Sequence, residues 1–238
     1  MAKPISKRSK KLVKLVEKGK IYSMKEAVGV LKAGPKTKFD QSVDLQCKLG
    51  VDLTANDQAV RGTTVLPHGQ GKALRVIVFC KDENARAAKE AGADFVGAED
   101  LIEKVLGGWI DFDVAISTPM MMKEISKLGK VLGPRGLMPS PKAGTVTDNP
   151  VKAINEVKAG RVEFKMDKQA NVSTSIGKLS FSEEKLVENG TALIEALVKA
   201  RPRSVKGVFV KAAHLSSTMG PGVKLDISKY IKETETTD

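Results

Sequence analysis

KALRVIVFCKDENARAAKEAGADFVGAEDLIEKVL, residues 72–106, decides the fold of the middle of this chain. Leu74–Phe79 is an apolar run of strand length, and Asp82–Ala91 has helical composition. Asp94–Val96 is a second short strand and Ala98–Leu106 a second helix. The alternation continues with a strand at Val114–Ser117 and a helix at Met120–Leu128. Strands and helices that take turns at short intervals predict a parallel sheet with covering helices. Gly133-Pro-Arg-Gly136 and Pro139-Ser-Pro141 then mark a long irregular loop, and Asp148-Asn-Pro150 opens a helix with proline in its first turn.

The flanks have another texture. Lys10–Lys18 sets Leu12, Leu15 and Val16 on one face of a basic amphipathic helix, and Ser23-Met-Lys-Glu26 reads as a capping box for a second helix ending near Gly34-Pro35. In Ser42–Leu49, Val43, Leu45, Cys47 and Leu49 alternate with polar residues, as in a strand with one wet face. After the middle, Arg161–Met166 and Asn171–Ile176 are again alternating strands. Ser182, with Glu183 and Glu184 behind it, opens a long helix to about Ala200. Val205–Val210 and Val223–Ile227 read as closing strands. The expectation is an α/β protein in which an α+β domain, residues 1–68 plus 159–238, is interrupted by an inserted α/β domain, residues 69–158.

Positive charge is concentrated at one end. Residues 1–38 hold twelve Lys or Arg against Glu17 and Glu26, so they carry +10 of the chain's +12. A concentrated basic surface holds a polyanion by displacing its counterions, which points to nucleic acid. With seven Phe, two Tyr and one Trp, the chain has few platforms for stacking single-stranded bases, and a folded nucleic acid is the better partner. The basic start has no apolar stretch of a secretory signal behind it, and the longest uncharged run, Ala212–Val223, is too short to span a membrane. A cytoplasmic protein is expected.

Enzyme motifs are weak here. Gly69-Gln-Gly71-Lys72 lacks the spacing and the Ser or Thr of a phosphate loop and precedes a strand, so it reads as a turn between domains. No glycine-rich dinucleotide fingerprint stands between Phe79 and the helix after it. Asp111 and Asp113 read as a solvated strand entry. Cys47 and Cys80 read as buried reduced thiols, and His68 and His214 have no neighbours at metal-ligand or catalytic spacing. No cofactor and no metal are expected. The uncharged segment Ser216-Ser-Thr-Met-Gly-Pro-Gly222 admits two readings: a polar hairpin turn, or a loop whose hydroxyls and glycine approach a ribose closely.

Several stretches occur in one order: Lys38-Phe-Asp40, Arg61-Gly62, Leu66-Pro-His-Gly-Gln-Gly71, Ala91-Gly-Ala-Asp94, Leu132-Gly-Pro-Arg-Gly-Leu-Met-Pro139, Pro141-Lys-Ala-Gly-Thr145 and Ser217-Thr-Met-Gly-Pro221. Together, over residues 8–228, they resemble the L-one family of bacterial large-subunit ribosomal proteins. The resemblance implies an outer domain of split β-α-β topology and a Rossmann-like inserted domain. It implies a non-catalytic structural protein of the large ribosomal subunit, monomeric when free, that binds folded ribosomal RNA at the mobile stalk near the exit site for deacylated transfer RNA. It also implies repression of the family's own messenger RNA through a leader that imitates the ribosomal site. Matched position by position, the RNA site comprises Glu26, Lys38, Phe39 and Ser42 on one side and Ser217, Thr218, Met219 and Gly220 on the other. Lys165, Lys168 and Lys211, with the lysines of residues 3–20, supply phosphate contacts. Ala212 departs from the polar or basic residue that relatives carry.

Two other readings compete. One is an α/β enzyme that binds a phosphorylated ligand in the Gly133–Thr145 loop. The other is sequence-blind polyanion binding by the N-terminal lysines, with Phe39 and Met219 silent.

Overall fold

The computed structural model describes residues 7–17, 19–35, 37–52, 58–81, 83–205, 207–228 and 230. Lys3 and Lys18, and the acidic tail Glu233–Asp238, lie outside the described residues. The chain divides into two compact units: residues 1–71 with 162–238, and residues 72–161.

In the first unit, α1 (Lys7–Leu15) and α2 (Met24–Lys32) precede β1 (Ser42–Leu49) and β2 (Arg61–Val65). Helix α1 starts earlier than its pattern predicts. Leu12 is buried and Val16 packs partly on the core, but Leu15 is exposed. Helix α2 begins at the expected capping box, where the Glu26 backbone N–H donates to Ser23 Oγ at 3.3 Å and the Ser23 N–H donates to Glu26 Oε2 at 2.9 Å.

The second unit holds β3 (Val76–Phe79), α3 (Glu83–Glu90), β4 (Phe95–Gly97), α4 (Glu99–Leu106) and β5 (Val114–Ser117). A helical run of mixed pitch follows, with α5 (Met122–Ile125) and α6 (Gly129–Leu132) separated by tighter turns, and then α7 (Pro150–Lys158), capped by Asn149. The parallel sheet has the order β4-β3-β5. Strand β3 is buried on both faces: Ile77 and Phe79 meet α4 and the 119–132 run, while Val76 and Val78 meet the Ala88 and Ile154 layer of α3 and α7. That is the three-layer α/β arrangement expected of the middle of the chain.

The chain returns to the first unit through β6 (Arg161–Lys165), β7 (Asn171–Lys178), α8 (Glu183–Lys199), β8 (Val210–Ser217) and β9 (Gly222–Leu225). The main sheet has the order β7-β1-β8-β9 with antiparallel pairs, and β2 pairs with β6 in a two-stranded sheet. Strands β7 and β8 are joined through α8 with β1 between them, which is the split β-α-β topology. The α2 and α8 faces bearing Ala27, Val28, Leu31, Leu186, Leu193 and Ile194 share one core with Val43, Leu45, Cys47 and Leu215.

One expected strand is displaced. Val205, Gly207 and Val208 lie outside any strand, and the Val205 and Gly207 carbonyls accept from the Arg201 guanidinium at 3.0 and 3.1 Å. The strand runs instead from Val210 to Ser217. Alanines at 212 and 213 have little intrinsic β preference, but this segment is paired on both edges, and pairing overrides propensity.

Candidate nucleic-acid interface

The first residue of β1 and the last of β8 meet at one end of the main sheet, with Val43 opposite Ser217. Beyond that pair the Thr218 side chain closes the end. The Ser42 N–H donates to Thr218 Oγ1 at 3.0 Å, and the Thr218 hydroxyl and backbone N–H both donate to the Ser42 carbonyl, at 3.3 and 3.1 Å. The Met219 N–H donates to Oε1 of buried Gln41 at 3.0 Å. On the other edge, Lys178 Nζ donates to Ser42 Oγ at 2.9 Å and the Ser180 hydroxyl to Asp40 at 2.7 Å. The frame is polar and cross-linked by hydrogen bonds, yet two large apolar side chains on it face outward: Phe39 is 53% exposed and Met219 54%.

The structure therefore brings together Phe39, Ser42, Ser217, Thr218, Met219 and Gly220, with Lys38 exposed beside them. Ser217 is only 6% exposed, and a Cβ on Gly220 would stand 2.2 Å from its hydroxyl oxygen. Ser217 thus sets the course of the turn from inside.

Glu26 lies at the opposite end of α2 from Lys38, where it serves the capping box. The Ser23 N–H, then the Ser23 hydroxyl, hold its carboxyl below the usual carboxylate range. Lys165, Lys168 and Lys211 are exposed at the other end of the main sheet. Asn171, just after the Lys168 turn, pairs with Lys48, and Lys211 sits at the bulge opposite Lys48 and Leu49. Seven residue steps of β1 separate that end from Ser42, about 24 Å of strand.

The sequence reading missed the surface that joins these ends. Three cross-strand rows lie on the sheet face away from α2 and α8: Ser175, Asp44, Ser216 and Gly222; Ser173, Gln46, His214 and Lys224; Asn171, Lys48 and Ala212. None of these residues is buried. The period-two pattern of β1 revealed a wet face, but the partners that widen it into a platform depend on register between segments over a hundred residues apart.

Other candidates have structural partners. Asp113 accepts from Lys72 at 2.6 Å and from Arg75, and Arg75 also pairs with Asp111; the Lys72 bond, chiefly, holds the Asp113 carboxyl below its usual range. His68 Nε2 lies 2.5 Å from Glu188. Both cysteines are free and buried, and burial pushes the Cys47 thiol up to about 12. In the 133–145 loop, Thr145 Oγ1 accepts from the Ser140 N–H at 2.8 Å. Among the described residues no His, Cys, Asp and Glu group could hold a metal ion, and no helix is long and apolar enough to cross a membrane.

Fold and site together define a basic protein of two α/β units, one of which presents an open polar sheet face ending in an exposed apolar pair. The model of the ribosomal protein L1p/L10e family matches residues 31–221. The large ribosomal subunit protein uL1 of Protochlamydia amoebophila (strain UWE25) is 50% identical over 227 residues, which cover 95% of this chain and 96% of that one. The chain belongs to the ribosomal protein L1p/L10e family.

Proposed function

We propose that this ribosomal protein, a structural component and not an enzyme, takes its place in the large subunit of the cytoplasmic ribosome by holding folded ribosomal RNA on its first unit. The name of the similar Protochlamydia protein places that protein in the large subunit. The observation that carries the RNA reading is the exposed Phe39–Met219 pair on a frame braced by Thr218 and Ser42. Apolar side chains there pack against sugar and base faces, and the adjoining hydroxyls and backbone reach 2′-hydroxyls, the groups that separate RNA from DNA. The open face supplies further polar contacts, and Lys48, Lys165, Lys168, Lys211 and Lys224 supply phosphate contacts. The finer reading places the RNA at the mobile stalk near the transfer RNA exit site, where the protein assists release of deacylated transfer RNA. It adds repression of the protein's own operon through a messenger leader of the same shape.

The test is a salt titration of binding to a stalk RNA fragment and to its DNA copy. Phe39→Ala and Met219→Ala are each expected to weaken RNA binding about tenfold or more, by the scale of a lost stacking contact, with a nearly unchanged salt slope. Equal binding of RNA and DNA with both substitutions silent would leave only a generic anion surface. Loss of affinity for the leader RNA in the same variants is the expected result for the repressor role.

A further inference from the structure

Sulfur is unevenly placed in the first unit. Cys47 is buried, and burial pushes its thiol up to about 12, so almost no thiolate is present to meet an oxidant. Met24 is buried, and Met166 is half-buried against the core. Among the described residues of that unit, Met219 alone exposes a sulfur-bearing side chain. In the second unit Met120 is 89% exposed, while Met121 is buried and the Met122 sulfur accepts from the Ser117 hydroxyl at 3.1 Å.

The backbone imposes the exposure of Met219. Its N–H donates to buried Gln41, the Gly220 N–H donates to the Ser217 carbonyl at 2.9 Å, and Thr218 is bonded to Ser42 through both its hydroxyl and its N–H. The chain on either side of the thioether is thus tied down, and the thioether stands in water. Leucine would fill nearly the same volume. What methionine adds is a polarizable sulfur that oxidises reversibly. In that reaction a sulfur lone pair takes the terminal oxygen of a hydroperoxide. The O–O bond breaks as the S–O bond forms, the sulfur gives up two electrons, and the peroxide leaves as water or an alcohol carrying the proton. An apolar side chain becomes a polar, chiral sulfoxide. A thiol-dependent methionine sulfoxide reductase reverses the change, the oxygen leaving as water while two thiols become a disulfide.

We propose that Met219 is a reversible oxidation site for hydroperoxides, and that its sulfoxide releases RNA from the first unit, a consequence that rests on the reading of that unit as the RNA holder. Bound RNA covers Met219, so the free chain is the form that oxidises. Met120, on the second unit, reacts with or without the RNA.

The full-length chain is treated with graded hydrogen peroxide, alone and saturated with the stalk RNA fragment. Oxidation is read by mass spectrometry, where tryptic cleavage after Lys211 and Lys224 isolates Met219 as the single methionine of residues 212–224. Affinity for the stalk fragment is then measured after the peroxide is removed. Met219 and Met120 are expected to oxidise ahead of Met24 and Met121, with the RNA slowing Met219 alone. Affinity is expected to fall about tenfold in step with Met219 oxidation, and to return after treatment with the reductase and dithiothreitol. Met120→Leu is expected to behave as wild type. Met219→Leu, whatever its starting affinity, is expected to lose none of it to peroxide.

Undiminished affinity with Met219 fully oxidised overturns the proposal. So does an equal loss in Met219→Leu, which would assign the effect to another side chain, or oxidation of Met219 no faster than that of Met24. Should the untreated wild type fail to bind the stalk fragment, the reading of the first unit fails instead.

Discussion

Asn189, fully buried on α8, has three backbone partners. Its Nδ2 donates to the carbonyls of Gly69 and Ile176 at 2.9 and 2.8 Å, and its Oδ1 accepts from the His68 N–H at 3.1 Å. It fastens the Leu66–Gly71 turn to the first unit. Asn189→Leu fills the space but leaves three backbone groups without partners, and is expected to cost about 3 kcal/mol in urea denaturation. Asp167 organises the turn that carries Lys168. It accepts from the Asn171 N–H at 2.7 Å, from the Asn171 side chain and from the Gln169 N–H, and these bonds, the first above all, hold its carboxyl below the usual range. A depressed folded pKa contributes stability above the unfolded value of about 3.9, and that stability is lost as pH falls through the folded value. The stability gap between wild type and Asp167→Ala is therefore expected at pH 6 and to narrow below pH 4. Neither role was legible: an asparagine inside a helical pattern and an aspartate in a turn acquire their partners only on folding.

Helix starts were the most legible elements, because a cap and its acceptor lie within four residues. Ser23, Asn149 and Ser182 all cap the helices expected of them. Ser23→Ala is expected to destabilise the protein by about 1 kcal/mol. Glu26 shows where this legibility misleads, since one carboxylate can serve a cap, an RNA or both. Glu26→Gln keeps an acceptor for Ser23 and removes the charge. A direct RNA contact predicts changed affinity at nearly unchanged melting temperature, whereas a purely capping role predicts no change in affinity. Strand β8 was misplaced because Ala212–Ser217 has little β character of its own. Its strand state depends on β1 and β9, and with it went the recognition that Ser217 is buried and Thr218 braces Ser42.

At the scale of the whole molecule, each unit has its own core: the cluster around Leu45 and Ile194 draws only on the first, and those around Phe79 and Val78 only on the second. Replacing residues 72–161 by a short flexible linker is expected to leave a cooperatively melting first unit that binds the stalk fragment with nearly wild-type affinity. Loss of cooperative melting would mean the first core depends on the second. The sequence alone determined the two textures, the concentration of charge, the helix caps and the wet face of β1, because each is a local pattern of period two, period 3.6 or composition. Tertiary structure alone decided which strands flank β1, that Thr218 closes on Ser42, and that Lys165, Lys168 and Lys211 stand a strand's length from Phe39 and Met219. Those facts depend on register and pairing between distant segments, which no local window contains.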